Sequence, residues 1–272
     1  MLEVAFLILL GLIWIIFAVV QDLKEREIAN WLNFSLIIFA LGFRLLYSLF
    51  ESGNYNFFYQ GLLGFAFFFV IGNLLYYGRV FAGGDAKLMI ALGAVIPFSS
   101  VFLINLNFAF LFLFLFLIAG AFYGIIFSLV LGIKNRKVFV KEFIKRFEKK
   151  RKIFYLCLFF SLVLVFSSLA FEFFIIIAIL IFISPYIYFS AKIIDESCMI
   201  KKINFRDLRE GDWLSNDLNL GGRKIKASWE GLNKRDILFI RKNKKNVFIR
   251  QGIPYSPVFL ISYLVLVFKA FF

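Results

Sequence analysis

The chain has no histidine among its 272 residues. That removes His-based triads, imidazole general bases and His-containing metal sites from consideration. Cysteine is almost as scarce. Cys157 and Cys198 lie 41 positions apart, one inside an apolar run and the other just past one. This is neither a paired metal-ligand spacing nor a disulfide framework. Acids are few as well, with 17 Asp and Glu against 31 Lys and Arg and a formal net charge of +14. A charge of that size suggests nucleic acid at first sight, but in a chain that is 62% hydrophobic, with 41 Phe, basic cytoplasmic loops of a membrane protein explain it better.

The apolar residues fall in continuous runs of about 20, the length needed to cross a hydrocarbon core. A β-barrel would instead alternate apolar and polar residues in segments of about 10. The expected fold class is an all-α polytopic membrane protein of about eight transmembrane helices, with a small cytoplasmic α+β module near the C-terminus. Spans are expected at roughly 3–21, 31–50, 57–77, 86–104, 106–132, 153–171, 173–194 and 255–271. The apolar region 86–132 is divided at Asn105 to Asn107, and the region 153–194 at Glu172. The opening "MLEVAFLILL" carries an acid and no basic segment, so a first transmembrane helix is expected there rather than a cleaved signal peptide.

Loop charges set the expected orientation. Lys24 and Arg26 follow the first span, and the turn "ESGNYN" after the second has no basic residue. Arg79 precedes the fourth span, with Lys87 close behind, and the turn near Asn105 has none. Residues 133–152 hold ten Lys and Arg, the turn at Glu172 none, and residues 192–250 fifteen. Every second loop is basic. Basic loops in the cytoplasm then put both termini outside, in a multi-pass protein of the cell membrane. Arg44 and Lys269 lie toward the expected outer ends of their spans, where long side chains snorkel to the headgroups.

The expected organisation is a membrane core over 1–132, a basic loop over 133–152, a helical hairpin over 153–194, a small module over 195–252 and a last transmembrane helix over 253–272. In the loop, Val138, Phe139, Phe143, Ile144 and Phe147 recur at helical spacing among lysines, as in a basic amphipathic helix lying on anionic lipid. In the module, "LREGDWL" and "LGGRKI" predict short strands with glycine turns, and "LNKRDILFIRK" a short helix capped by Asn233.

Ionisable groups at span ends are few. Asp22 closes the first span and Asp85 opens the fourth, 63 residues later. The loop charges put both on the cytoplasmic side, and packing the first helix beside the fourth would bring them together. Two close carboxylates in a partly dry site cannot both ionise easily, so they share a proton. One can take a proton from water and the other can donate to a peptide carbonyl, the chemistry of an aspartic protease. Alternative readings are a helix cap for Asp85 and an interfacial acid paired with Lys24 or Arg26 for Asp22. At the level of function, the alternatives are a proton-coupled carrier using both acids as relays, and a non-catalytic scaffold.

Three islands carry a family resemblance. "AGGDAKLMIALGA" (82–94) resembles the GxGD motif of intramembrane aspartyl proteases and its continuation in type IV prepilin peptidases. "DLKEREIANWL" (22–32) resembles the pattern around the first catalytic acid of the same family, which includes the archaeal preflagellin peptidases. "GIPYSPVFLI" (252–261) is similar to the family's proline-containing lead into a late helix. The sequence departs from the pattern at Ala82 and Ala29, where Gly and Pro are common, and has neither the bacterial paired-cysteine zinc loop nor the methyl-transfer segment.

The resemblance implies a peptidase without N-methylation, with Asp22 and Asp85 catalytic and no cofactor or metal. Its substrates would be type IV pilin-like precursors with a short basic leader. Membrane lipids are the other expected partner, nucleic acid is not one, and the oligomeric state stays open. Gly83 and Gly84 would let a substrate backbone approach Asp85. Glu25 and Glu27 would hold the basic leader by charge, and Lys87 would bias the pair or bind lipid phosphate.

Overall fold

The structure, a computed structural model, describes residues 2–51, 54–169, 171–220, 223–228, 230–243 and 245–271. In chain order the helices are α1 (Leu2–Glu25), α2 (Asn30–Glu51), α3 (Asn56–Tyr77), α4 (Gly83–Gly93), α5 (Phe102–Lys134), α6 (Arg136–Ser167), α7 (Phe173–Ile193), α8 (Lys234–Lys242) and α9 (Ser256–Phe271). The strands are β1 (Ile200–Ile203), β2 (Trp213–Leu214), β3 (Leu218–Leu220), β4 (Arg223–Ile225) and β5 (Val247–Arg250). The chain forms two units, Met1–Gly124 with Ile253–Phe272, and Ile125–Gly252.

Apolar runs become helices because a helix pairs its backbone N–H and C=O groups internally, which a lipid environment demands. Among the described residues, five helices are long and apolar enough to cross a membrane: α1, α2 to Phe50, α3, α5, and α7 with its π-helical extension to Cys198. Eight spans are expected from the sequence, and the others fall short on length or charge. The 11 residues of α4 and the 16 of α9 give about 16 and 24 Å of helix, against about 30 Å of hydrocarbon. The apolar stretch expected as a sixth span is the second half of α6, which continues from the basic amphipathic segment through a kink at Lys150 (φ −118°, ψ 18°).

The first unit shows why α4 is short. The break expected at Asn105–Asn107 is absent, since α5 runs unbroken through it. The chain turns earlier, over residues 94–101. Asn105 is a buried anchor rather than a turn residue. Its Oδ1 accepts from the Ser99 N–H (2.9 Å), and its Nδ2 donates to Ser99 O (2.7 Å) and to Gln60 Oε1 (3.0 Å). The stretch Ala94–Phe98 is buried and leaves the helix with unpaired carbonyls. Irregular backbone at membrane depth persists only where protein surrounds it.

Arg44 supplies the missing donors, which corrects the expectation that it snorkels outward. It is fully buried (0% exposed). Its Nε donates to Ala94 O (3.0 Å), its Nη2 to Val95 O (3.2 Å) and Pro97 O, and its Nη1 to Phe57 O (3.0 Å). The guanidinium also lies 4.4 Å from the Phe57 ring centroid, a cation–π contact. Gly61 makes the room, because a Cβ there would meet Arg44 Nε at 2.7 Å. At the other end of α4, Lys87 Nζ donates to Asn30 Oδ1 (2.6 Å). Asn30 and Arg44 are 14 residues apart on α2, or about 21 Å. So α2 holds α4 and its irregular exit at both ends. Lys269 is exposed near the end of α9.

The second unit contains α6, which ends at Ser167, and α7, which starts at Phe173 and packs on it. Phe154 packs there between Phe147 (4.7 Å), Tyr186 (5.1 Å) and Phe189 (5.2 Å). β5 pairs antiparallel with β1 and β2, and β3 pairs with β4. The predicted strands and the Asn233 cap are present, with Asn233 Oδ1 accepting the Asp236 N–H at 2.9 Å. The glycine turn at Gly221–Gly222 and part of the "ESGNYN" turn, Ser52 and Gly53, lie outside the described residues. Leu214, Ile225, Ile237, Ile240, Val247 and Ile249 form this unit's core. Both cysteines are free, half-buried thiols.

Candidate active site

Two left-handed residues end the helices that lead to the site. Arg26 (φ 59°) terminates α1, its N–H closing on Asp22 O (2.9 Å). Arg79 (φ 60°) terminates α3, with the Arg79 N–H on Tyr76 O and the Val80 N–H on Leu75 O. These are helix-stop geometries that glycine usually fills. The first fixes Asp22 in the last turn of α1. The second sends the chain through extended Ala82 (φ −70°, ψ 161°) into α4. The helix cap there is Ala82, so Asp85 is not the cap but stands in the first turn.

Asp22 is 7% exposed. Its Oδ2 accepts the backbone N–H of Ser256 at 3.1 Å. Ser256 opens α9, so this N–H is one of the donors a helix leaves unpaired, at the end where the dipole favours an anion. Asp85 is half-buried. Its carboxyl is pushed up to about 7, first by lost hydration and then by the charge of Asp22, against the pull of a hydrogen bond with the Ala82 backbone. The two acids are therefore within electrostatic reach of each other. They do not meet through packing along α1 and α4. α1 packs mainly on α9 and α2, and α4 on α3 and α2.

The remaining candidates divide. Gly83 has room at its α-carbon, where a Cβ would meet only Tyr76 at 3.8 Å. At Gly84 the space is taken by Ile28, 3.3 Å from the position of a Cβ, so this glycine lets the loop after α1 close on α4. Lys87 is engaged by Asn30. Glu25 and Glu27 are exposed beside the end of α1. Three partners of the acids are additions to the sequence reading. These are the Ser256 N–H, Tyr255, which feels the charge of Asp85, and Tyr123, which feels Asp22 and Arg26. Pro257 just inside α9 is the sequence signal that marks Ser256 as a helix start. Among the described residues, no three Cys, Asp or Glu side chains gather as a metal site.

Fold and site together define a multi-pass helical membrane protein with two interacting carboxylates at the ends of its helices. Residues 9–129 are similar to the type IV leader peptidase family, whose model matches that stretch. The chain is 30% identical over 151 residues to a preflagellin peptidase of Methanococcus maripaludis (strain C6), a match covering 51% of this chain and 65% of that protein. It is 30% identical over 158 residues to a preflagellin peptidase of Methanocaldococcus jannaschii, covering 56% and 64%. A preflagellin peptidase of Methanococcus voltae is 33% identical over 90 residues, 32% of this chain and 37% of that protein. The matches thus span less than two thirds of these relatives' lengths. No solved structure matches the chain significantly.

Proposed function

We propose that the protein is a membrane-embedded aspartyl endopeptidase that removes the short basic leader from type IV pilin-like precursors, prearchaellins among them, at the cytoplasmic membrane face. What supports the proposal is the placing of Asp22 and Asp85 within electrostatic reach of each other, the first buried and paired to a helix N-terminus, the second half-buried in the first turn of α4. The names of the relatives support the substrate class.

The chemistry follows from the pair. Below about pH 7 the Asp85 carboxyl, pushed up to about that value, carries a proton. Asp22, held by the Ser256 N–H, takes a proton from water as that water attacks the scissile carbonyl carbon. Asp85 donates its proton toward the carbonyl oxygen. The tetrahedral intermediate then collapses, the C–N bond breaks, and the leaving amine takes a proton from the pair. The basic loops support a site on the cytoplasmic side, where a basic leader would remain while its apolar segment enters the bilayer. Glu25 and Glu27 lie beside Asp22 in sequence with the sign needed to hold that leader. Cleavage of a purified prearchaellin by the wild type, and its loss in Asp22→Asn and Asp85→Asn, tests the proposal. A wild type that cuts no such precursor overturns it.

A further inference from the structure

The lead into α9 binds one acid and lies near the other. Ser256 holds Asp22 through its backbone, and Tyr255, the residue before it, lies within electrostatic reach of Asp85. Both residues fall outside the 9–129 stretch that matches the family. Tyr255 is half-buried and tightly placed. Its ring stands edge-on to Phe116 (5.6 Å) and to Tyr123 (6.3 Å, 85°) and lies 6.2 Å from Phe81. Its Oη rests on the backbone of Gly120, in a space that a Cβ at that position would occupy. The hydroxyl is thus fixed by α5 on one side and by the helix start that binds Asp22 on the other.

We propose that Tyr255 is a catalytic residue of the proposed peptidase, its hydroxyl donating a hydrogen bond to the oxygen of the scissile carbonyl as the tetrahedral intermediate forms. The inference rests on the peptidase reading above. No proton leaves the phenol in this step: water supplies the nucleophile, the acid pair moves the protons, and Tyr255 stabilises charge on the oxygen. Three features suit it to that task. Tyrosine is a donor at neutral pH, and partial burial favours the neutral phenol further. The hydroxyl is held in advance by Gly120, so little reorganisation is needed when charge develops. The residue is half-buried rather than sealed in the core.

The test compares wild type, Tyr255→Phe and Gly120→Ala as full-length protein in micelles, using a purified prearchaellin with a short basic leader as substrate. Tyr255→Phe keeps the ring contacts and removes only the hydroxyl. It is expected to lower kcat about 100-fold, with KM within about threefold and the thermal unfolding midpoint unchanged. Gly120→Ala moves the hydroxyl while leaving it present, and a similar kcat loss is expected. The double variant should lose little more than either single one, because both remove the same contact. A kcat for Tyr255→Phe within about threefold of wild type would assign Tyr255 to packing alone and overturn the inference. In that case cleavage by the wild type leaves the peptidase reading standing. If the wild type itself cuts no precursor, the peptidase reading fails and takes this role with it.

Discussion

Replacing Arg44 by Met tests how an 11-residue helix is held in a membrane protein. Methionine keeps most of the apolar stem and removes the donors. Arg44 gives hydrogen bonds to Ala94 O, Val95 O, Pro97 O and Phe57 O, and it is fully buried. Leaving a buried acceptor without a partner costs about 1–3 kcal/mol. Measured hydrogen bonds between membrane helices average nearer 0.6 kcal/mol, so the low end applies. Four acceptors at about 1 kcal/mol each give a loss of about 4 kcal/mol, or nearly a thousandfold in the folding equilibrium. Removing a buried cation returns part of its desolvation penalty, which makes this figure an upper value. Arg44→Lys keeps the charge but cannot present a planar fork to carbonyls from two segments, so it should recover less than half of the loss. The assay is reversible unfolding in mixed micelles followed by circular dichroism. The exposed Lys269→Met is the control, expected within about 0.5 kcal/mol of wild type. If Arg44→Met stays within about 1 kcal/mol of wild type, the carbonyls of residues 94–97 have other donors and the fixture assigned to Arg44 is wrong.

Cleavage should depend on pH through the shared proton. The Asp85 carboxyl is pushed up to about 7, so the pair keeps its proton below that pH and loses it above. kcat/KM should fall as pH rises through about 7. A profile flat to pH 9 would contradict the shared proton. Changing Glu25 and Glu27 together to Gln should raise KM for a substrate with a basic leader about three- to tenfold at low salt, with kcat unchanged. The effect should shrink as salt screens exposed charges. An unchanged KM at low salt would remove these acids from leader binding.

The two acids were legible in the sequence because ionisable groups are so rare at the ends of its apolar runs, and because the motif islands surround them. The supports of the site were much less legible. "LMIALGAVIPFSSVFLI" reads as one apolar span, since hydropathy does not separate a helix from a buried irregular strip that another side chain satisfies. For the same reason Arg44, seen only as a cation near a helix end, looked like a snorkelling residue. Its partners are 50 or more positions away in sequence, apart from Phe57. Asn105 carried the composition of a turn and serves as a hydrogen-bonding anchor inside a helix. In the small module the signals were local, a cap and short strands, and there the sequence and the fold agree. The contact of Ser256 with Asp22 joins residues 234 positions apart, and no local pattern reports a pairing of that range.

The central claim is that Asp22 and Asp85 work as one unit. Its most direct test is single-turnover cleavage of a purified prearchaellin by wild type, Asp22→Asn, Asp85→Asn and the double variant, each first shown to be folded by its unfolding transition. The account predicts cleavage by the wild type, a loss of at least about a thousandfold in each single variant, and no further loss in the double variant, because residues acting as a unit are not additive. A single variant that cuts at the wild-type rate would contradict it.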